Sequence, residues 1–555
     1  MITIFFILGC VALGAGYLLY GRFLTRVLGI DPNRRTPAHE QADGVDFVPS
    51  HTPVLFGHHF SSIAGAGPIV GPIAAAIWFG WGPTWLWVVV GAIFVGGVHD
   101  FSALVASIRH RGRSIGEICR VYLSPLTYRA FLIFIYFTLV YVLIIFLDLT
   151  AATFAPGDLA DPVRVNAGGS VATASLLYVG IAVAFGFALR SPGISFRWAT
   201  AAFVPLVFLA LLAGNLLPLR ATFLPAFIHG HPHYTWAAIL LVYCFVASIT
   251  PVWVLLQPRD FLSSFLLYGC LLGGFIGILL LAFTGDAAPQ MAFFKGFFRD
   301  PENRTGFIFP LLFITVACGA VSGFHSIVAS GTSSKQLGNE SGALPVSYGG
   351  MLVEGGLALI ALSAVMLVPA GDPLIKASPT IVFASGLGHF LKSFGIPEAL
   401  GTTFGLLAIS TFLLTTLDTA TRLARFILEE FCGVRNPKWR YLTTLGTIVL
   451  PATIVFMRIP NPTVAGAYIP AWKAIWPAFG TANQLMAALT LLVVYVWLRS
   501  RGKRALFVLL PLLFMLATTG KALIDLVLVH LFGAGQRIVG VICFVLMLLA
   551  LLVVV

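Results

Sequence analysis

Long apolar runs separated by short polar connections make up almost the whole chain. A helix needs about 20 apolar residues to cross the hydrocarbon core of a bilayer, and fifteen segments of this sequence meet that requirement. The predicted spans are 2–20, 61–79, 83–108, 128–147, 170–189, 198–218, 235–256, 261–283, 306–330, 347–369, 401–421, 441–457, 476–498, 505–531 and 537–555. No connection between spans is long enough for a soluble domain, since the longest, 21–60, has about 40 residues.

The composition agrees with this pattern. The chain has 59% hydrophobic and 10% charged residues, whereas soluble proteins have about 45–50% and about 25%. This excludes a soluble enzyme, a disordered protein and a nucleic-acid-binding protein, and it predicts an all-α polytopic membrane protein whose surroundings are the lipid bilayer. The formal net charge of +12 is typical of basic cytoplasmic loops.

The distribution of basic residues predicts the orientation of the spans. If the N-terminus lies outside, 21 of the 33 lysines and arginines fall in cytoplasmic loops, ten fall in the opposite loops, and Arg129 and Lys521 lie in or at spans. Such a bias over fifteen crossings supports an N-terminus outside and a C-terminus in the cytoplasm; with the inner membrane that the family resemblance described below implies, the N-terminus is periplasmic. Segment 1–20 is interpreted as a retained span, because no basic region precedes its apolar run.

Two spans contain helix-breaking residues. Span two begins with a run rich in glycine and proline between Ser61 and Pro72, and span seven contains Ser248-Ile249-Thr250-Pro251. Such a run is either a packing face for neighbouring helices or an unwound segment that lines a cavity. On the second interpretation the breaks face each other near mid-membrane, with the segment from Gly65 to Pro72 non-helical. The predicted substrate-binding residues are Ser61, Ser62, Gly65, Gly67, Gly71, Ser248 and Thr250.

The spacing of the breaks predicts an inverted repeat. Span seven starts five spans after span two, and an odd offset makes two similar units enter the membrane from opposite sides. The predicted units are residues 61–218 and 235–421, preceded by a helix at 1–20 and a cytoplasmic loop at 21–60, and followed by four further helices at 441–555.

Three shorter segments outside the spans are also expected to be helical. Linkers 109–125 and 286–304 occupy corresponding places in the two predicted units, and each is expected to hold a short helix lying along the membrane. Segment 377–393 is expected to be a short amphipathic or re-entrant helix rather than a full span.

Several ionisable residues lie at membrane depth, where a charge is costly and by default indicates function. His99, Asp100, His325, Glu354 and Asp418 all fall on the cytoplasmic half of their spans. They predict a shared inner cavity with proton coupling or, alternatively, a structural hydrogen-bond cluster. Since His99 and Asp100 are adjacent, one is expected to meet His325 and the other to hold helix packing.

Hydroxyl residues in span nine offer a different coupling ion. Ser326 and Ser330 belong to a polar run that either ligates Na⁺ or packs helices closely. The predicted coupling residues are therefore His99, Asp100, His325, Ser326, Ser330 and Glu354. No metal centre and no cofactor are predicted, because the chain has no HExxH motif and its seven cysteines are scattered.

Four sequence runs resemble the pattern of the carbon starvation protein A (CstA) family. They are GHHFSSIAGAGPIVGP at 57–72, GGVHDF at 96–101, GFHS at 323–326 and WPAFGTANQL at 476–485. The resemblance implies an inner-membrane transporter induced on nutrient limitation, which imports pyruvate by proton symport or imports small peptides. It also implies a LeuT-type fold of the amino acid–polyamine–organocation superfamily with a five-plus-five inverted repeat. Members of that superfamily hold sodium between core helices one and eight, here spans two and nine.

Pattern and resemblance together predict a proton-coupled symporter for pyruvate or a similar small carboxylate. A di- or tripeptide importer is the alternative within transport, and a nutrient sensor acting through a partner is the alternative of another class. The expected partners are the solute, H⁺ or Na⁺ and the lipid bilayer, with a small accessory protein or a second copy of the chain as further candidates. An enzyme is not expected, because no nucleophile–base pairing and no GxxxxGK[ST] motif occur.

Overall fold

The computed structural model describes the whole chain except residues 45, 156–158, 160–161, 227, 285–287, 370, 377, 435, 461–467, 534–535 and 555. The helices up to residue 216 are α1 (Ile2–Ala15), α2 (Arg22–Leu28), α3 (Pro37–Glu40), α4 (Thr52–Ile63), α5 (Gly67–Phe79), α6 (Trp81–Gly91), α7 (Gly97–Arg109), α8 (Ile115–Tyr122), α9 (Pro125–Phe154), α10 (Pro162–Arg190) and α11 (Phe196–Leu216). The later helices are α12 (Pro232–Ile249), α13 (Leu256–Thr284), α14 (Ile308–Thr315), α15 (Gly323–Gly331), α16 (Gly350–Met366), α17 (Pro379–Lys392), α18 (Glu398–Cys432), α19 (Arg440–Val455), α20 (Ala471–Ser500), α21 (Leu506–Val527) and α22 (Arg537–Val554). Two small hairpins pair β1 (Phe298–Asp300) with β2 (Thr305–Phe307) and β3 (Arg458–Pro460) with β4 (Tyr468–Pro470).

Twelve helices in the described ranges are long and apolar enough to cross a membrane, and the bent pair α4–α5 makes a thirteenth if it is one span. The chain is therefore an all-helical, multi-pass membrane protein. The two remaining predicted spans coincide with the 16-residue α19 and with the short helices α14 and α15. The total of fifteen crossings stays a prediction.

Local sequence signals explain where several helices begin and end. Ser114 accepts a hydrogen bond from the Glu117 amide at 3.1 Å and caps α8, and Ser124 accepts one from the Thr127 amide at 3.1 Å and caps α9. These hydroxyls satisfy amide groups that have no partner within the helix. The 35-residue α18 ends at Gly433, whose φ of 67° is the left-handed conformation that glycine adopts without strain.

The break in span two is shorter than predicted. α4 ends at Ile63, α5 begins at Gly67, and the two helices are bent by 44°. The prediction that the chain is non-helical as far as Pro72 is therefore wrong beyond Ala66. Pro68 lies in the first turn of α5, where an amide donor is not needed, and Pro72 is accommodated inside the helix.

The second break lies elsewhere than predicted. Thr250 and Pro251 simply follow the end of α12, because proline disfavours helix at the residue before it. The break within a span falls instead between α14, which ends at Thr315, and α15, which begins at Gly323. Segment 316–322 contains small and apolar residues and no proline, so its sequence carried little sign of a break.

The predictions for the short helices have mixed outcomes. Helix α8 is found in the linker at 109–125, and α17, with 14 residues, is found in segment 377–393. The helix expected at 286–304 is wrong for the part of this linker that the structure describes, where β1 turns into β2. Gly296, at a φ of 132°, has a backbone conformation that helices do not use.

Each of the two interrupted helix pairs packs against two other helices of the core. The α4–α5 pair contacts α13 and α16, and the α14–α15 pair contacts α20 and α7. The long helices α9 and α18 pack on each other; α9 also contacts α12, α19 and α20, and α18 contacts α19, α12 and α13. Helices α10 and α11 form a hairpin against the side of this core, while α21 and α22 pack beside α20.

Candidate functional site

A cluster of four ionisable side chains lies in the interior, where α7, α15 and α16 meet. His325 Nδ1 is 2.8 Å from Asp100 Oδ2, and His99 Nδ1 is 2.7 Å from Asp100 Oδ1. His325 Nε2 lies 3.3 Å from Glu354 Oε2, an ion-pair distance. All four side chains are fully buried. We call His99, Asp100, His325 and Glu354 the first cluster.

The start of α15 and the glycines before α7 position this cluster. His325 is the third residue of α15, so the break that precedes the helix places its imidazole in the protein interior. A Cβ atom at Gly96 would meet the Ala320 carbonyl oxygen, and one at Gly97 would lie 2.5 Å from the Tyr348 ring. Glycine at both positions therefore lets the start of α7 approach segment 316–322 and the segment before α16 closely.

The first cluster can hold and exchange protons. Two carboxylates face two imidazoles without solvent, and an unpaired charge in such a place is strongly unfavourable. The balance between the carboxylates and the imidazoles therefore depends on how many protons the cluster holds. Histidine changes its charge in the physiological pH range, which suits such an exchange.

The prediction that His99 and Asp100 would separate is only half right. Asp100 does meet His325, as one of the two residues was expected to do. His99, however, also belongs to the cluster, because its ring reaches the carboxylate of the neighbouring Asp100. Adjacent helical residues point about 100° apart, but an imidazole is long enough to close that angle.

Ser326 and Ser330 use their hydroxyl groups in contacts between helices. Ser326 Oγ lies 2.9 Å from Thr490 Oγ1 and 2.7 Å from the Gly323 carbonyl oxygen. Ser330 Oγ donates to the Ser326 carbonyl oxygen and accepts the Ile115 amide. Both serines therefore tie α15 to α20 and α8.

The glycines of span two lie in or just after the break between α4 and α5. A Cβ atom at Gly67 would overlap the side chain of Cys318, and one at Gly71 would lie 2.5 Å from the Thr315 carbonyl oxygen. One at Gly65 would be 2.7 Å from the Phe146 ring. The first turns of α5 therefore lie directly against segment 315–318.

The start of α15 is held by a side chain from another helix. Asn483 on α20 accepts the Phe324 amide at 3.0 Å, and its own amide group donates to Ser322 Oγ at 3.0 Å. Two helix N-termini therefore lie next to segment 316–322. That of α15 follows the segment in the chain, and that of α5 packs against it.

Four further predicted residues lie away from these N-termini. Ser61 Oγ donates to the Asp260 carbonyl oxygen at 3.1 Å, and Ser62 Oγ donates within its own helix to the His58 carbonyl oxygen. Ser248 accepts from Arg425 at 3.2 Å, and the Thr250 carbonyl oxygen accepts from Arg422. The structure therefore does not bring Ser248 and Thr250 to the break in span two; arginines of α18 cap the end of α12 there.

A second group of buried ionisable residues was predicted only in part, through Asp418. His58 Nδ1 is 2.7 Å from Asp260 Oδ2, Arg259 forms an ion pair with Asp418, and Tyr243 donates to Asp418 Oδ2 at 2.7 Å. We call His58, Asp260, Arg259, Asp418 and Tyr243 the second cluster. Adjacent charges between two apolar runs were interpreted as a loop, although Arg259 and Asp260 lie in the first turns of α13. Asp418, expected with His325, belongs here instead.

On the predicted cytoplasmic side, residues 30–44 and 46–51 cross the ends of the core helices, and we call them the inner strap. Glu340 accepts the Asp31 amide at 2.9 Å and forms an ion pair with Arg109 at the end of α7. The Ser50 amide donates to the Gln336 carbonyl oxygen at 2.9 Å. The strap is thus fastened to the segment that joins α15 to α16.

Neither cluster has the arrangement of a metal centre. Within the described residues, no group of three or more histidine, cysteine, aspartate or glutamate side chains could hold a metal ion. The carboxylates of both clusters instead contact imidazole, guanidinium and phenol groups of the same protein.

These features define the class: a multi-pass helical membrane protein with interrupted helices and buried ionisable clusters. The family model for the carbon starvation protein CstA matches residues 1–382 and 369–522, so the chain belongs to the CstA family, and the resemblance seen in the sequence is confirmed.

Curated relatives match over most of their length. The Escherichia coli K12 protein named "Peptide transporter CstA" is 32% identical over 91% of this chain and 78% of its own. The Bacillus subtilis 168 protein of that name is 31% identical over 92% and 88%. The E. coli K12 protein named "Pyruvate/proton symporter BtsT" is 30% identical over 86% and 74%.

Among solved structures, a mutant of the Eremococcus coleocola manganese transporter matches 90% of this chain and 94% of its own. Its sequence identity is 13% and its TM-score is 0.33, a similarity too low to carry an argument.

Proposed function

We propose that the chain is a proton-coupled secondary transporter of the inner membrane that imports a small solute carrying a carboxylate. The observation that carries the proposal is the first cluster, because buried ionisable groups at membrane depth are characteristic of proton relays in transporters. The names of the relatives support transport. The cluster supports a proton as the driving ion, since Ser326 and Ser330 are occupied by contacts between helices.

A short peptide is the first candidate solute and pyruvate is the second. The sequence pattern and the family resemblance had favoured pyruvate. The relatives named as peptide transporters in E. coli and B. subtilis align with slightly more of this chain than the relative named as a pyruvate/proton symporter. Both solutes carry a carboxylate, so both need a place that stabilises negative charge.

That place is segment 316–322, where the first turns of α5 pack against the chain just before α15. Helix N-termini carry partial positive charge and free amide groups, and interrupted helices in transporters use them to bind anionic groups. Gly65, Gly67 and Gly71 belong to this proposed site, because side chains there would collide with Phe146, Cys318 and the Thr315 carbonyl oxygen respectively.

In the proposed architecture the inverted repeat has an offset of seven spans rather than five. The first unit contains α4–α5, the continuous span α6–α7, α9, α12 and α13. The second contains α14–α15, α16, α18, α19 and α20. Seven is odd, so the units still enter the membrane from opposite sides, and the hairpin α10–α11 is an insertion into the first unit.

Matching contacts support this division. When each helix is exchanged for its counterpart, the contact of α9 with α12 becomes that of α18 with α19, and both are present. The same exchange relates α9–α20 to α18–α13 and α9–α19 to α18–α12. The short helices α8 and α17 also correspond, since each lies between the second and third spans of its unit.

Uptake into proteoliposomes tests the proposal. Labelled dipeptide and labelled pyruvate are offered separately under an inward proton gradient, an inward sodium gradient and no gradient. We expect concentrative uptake of one of the two solutes under the proton gradient only. Uptake driven by sodium alone would contradict proton coupling, and uptake of neither solute would contradict the solute class.

A further inference from the structure

We propose that the second cluster is a separate proton-binding site, with its proton held between His58 and Asp260. The presence of this proton is independent of the proposed function. Its use in the transport cycle rests on the proposed function.

The geometry of the pair is that of a hydrogen bond to an ionised group. His58 lies in the last turns of α4 and Asp260 in the first turns of α13, with Nδ1 and Oδ2 2.7 Å apart. The Asp260 side chain is fully buried and that of His58 is 3% exposed. His58 Nε2 is buried and has no hydrogen-bond partner among the described residues, so the contact with Asp260 dominates its environment.

The charges of the second cluster sum to zero only when the cluster holds one additional proton. Asp260 and Asp418 are two carboxylates, and Arg259 is one guanidinium that contacts both. With His58 neutral, the group carries one net negative charge in a sealed environment, which is strongly unfavourable. One proton on His58 makes the group neutral.

Among the described neighbours, Arg422 is the group that adds positive charge near Asp418. Arg422, on the same helix as Asp418, directs its guanidinium to the Ala247 and Thr250 carbonyl oxygens at the end of α12, where it compensates the partial negative charge of that terminus. Tyr243 and Tyr178 are uncharged donors, to Asp418 and to the Arg259 carbonyl oxygen. Among the described residues, Arg259, Asp418, Tyr178 and His59 interact electrostatically with His58 or Asp260. Tyr243, Cys244 and Arg422 act on Asp418, and Asp100 and His325 act on His59.

Helix α4 connects this site to the first cluster. His59, the residue after His58, points to the other side of α4, where its Nδ1 lies 2.8 Å from Ser333 Oγ. Its ring lies within electrostatic reach of Asp100 and His325. A movement of α4 during transport would therefore act on both clusters together, so that the proton on His58 is exchanged in the same cycle.

Histidine NMR on the purified full-length protein tests the proton without any transport assay. ¹⁵N-histidine labelling reports the charge of the twelve rings, and His58→Gln assigns the signal of His58. We expect an imidazolium at neutral pH in the wild type and a neutral imidazole in Asp260→Asn. In that variant Arg259 and Asp418 still neutralise each other, which favours correct folding. Asp525→Asn, which removes an exposed carboxylate of α21, should leave His58 charged.

A neutral His58 in the wild type would overturn the proposal, and this measurement needs no variant to fold. A charged His58 that persists in well-folded Asp260→Asn would also overturn it. For the role in transport, reversal potentials in proteoliposomes should give one proton fewer per solute in Asp260→Asn than in wild type. An unchanged ratio would limit the proton to a structural role and overturn that part. Absence of uptake by the wild type would contradict the proposed function and leave the NMR result intact.

Discussion

Asp100 accepts hydrogen bonds from two imidazoles at once and lies at the centre of the first cluster. Its carboxylate therefore decides how many protons the surrounding groups can share. The sequence could predict this residue, because a carboxylate beside a histidine in an apolar run is rare without a function. The sequence could not predict the positions of its partners, since their distances depend on how α7, α15 and α16 pack.

Replacing Asp100 separates coupling from transport itself. We expect Asp100→Asn to lower the solute accumulation reached under a proton gradient, because one of the protons that accompany each solute is no longer carried. Exchange of solute at equal concentrations should persist, because exchange needs no net proton movement. Both are measured in proteoliposomes, with Asp525→Asn as a control that removes an exposed carboxylate.

Full gradient-driven uptake by well-folded Asp100→Asn would contradict the coupling role. Early melting of the variant would indicate a structural role instead, because removing one partner of a buried charge pair costs about 3–5 kcal/mol.

The glycines of α5 permit a second test at the scale of single residues. Gly67→Leu and Gly71→Leu place side chains against Cys318 and the Thr315 carbonyl oxygen. We expect either change to abolish uptake while membrane insertion remains, at a cost of about 1–3 kcal/mol for overpacking. Gly180→Leu is the matched control, because nothing lies within 4 Å of a Cβ atom there. Normal uptake by both variants would rule out this part of the proposed site.

At the scale of elements, the inner strap depends on one carboxylate. Glu340 is nearly fully buried and holds both Arg109 and the Asp31 amide. A hydrogen bond to a charged group contributes about 1.5–3 kcal/mol. We therefore expect Glu340→Gln to accelerate amide hydrogen exchange of the strap by about 10- to 100-fold. Mass spectrometry after exchange measures this, with the exposed Glu40→Gln in the same segment as control. Equal exchange in both variants would show that the ion pair does not hold the strap.

The elements themselves were predictable to different degrees. Hydrophobic runs located a helix or a helix pair for every predicted span, because lipid requires apolar side chains over a fixed length. The break between α14 and α15 was not located, because small residues such as Gly319 and Ala320 are equally common in continuous helices. Pro251 was misjudged for the opposite reason: a strong helix-breaking residue fell where a helix ended anyway.

At the scale of the molecule, the proposed repeat illustrates what spacing alone can and cannot indicate. An odd offset between two breaks predicts opposite topology, and the five-span and seven-span offsets share that property. The sequence placed the second break at Ser248–Pro251, so the hairpin α10–α11 was counted as part of the first unit. The matching contacts of α9 and α18 could be recognised only after packing was known.

The topology of the whole molecule depends on two predicted crossings, one by a short helix and one by an interrupted span. α19 has 16 residues, which span about 24 Å at about 1.5 Å per residue, less than the roughly 30 Å hydrocarbon core. The span containing α14 and α15 is in two pieces. If either failed to cross, every later loop would change sides, and the basic residues at 499–504 would lie outside, against the distribution of positive charge.

Cysteine labelling from outside the cell tests both crossings. In a Cys432→Ser background, which removes the exposed native cysteine, Lys392→Cys should react with an impermeant thiol reagent, because Lys392 is exposed and lies beyond an even number of predicted crossings. Arg501→Cys should react only after the membrane is opened. A protected Lys392→Cys would show that α14–α15 does not cross. Labelling of Lys392→Cys together with Arg501→Cys would show that α19 does not cross, because α18 and α20 are both long enough to span.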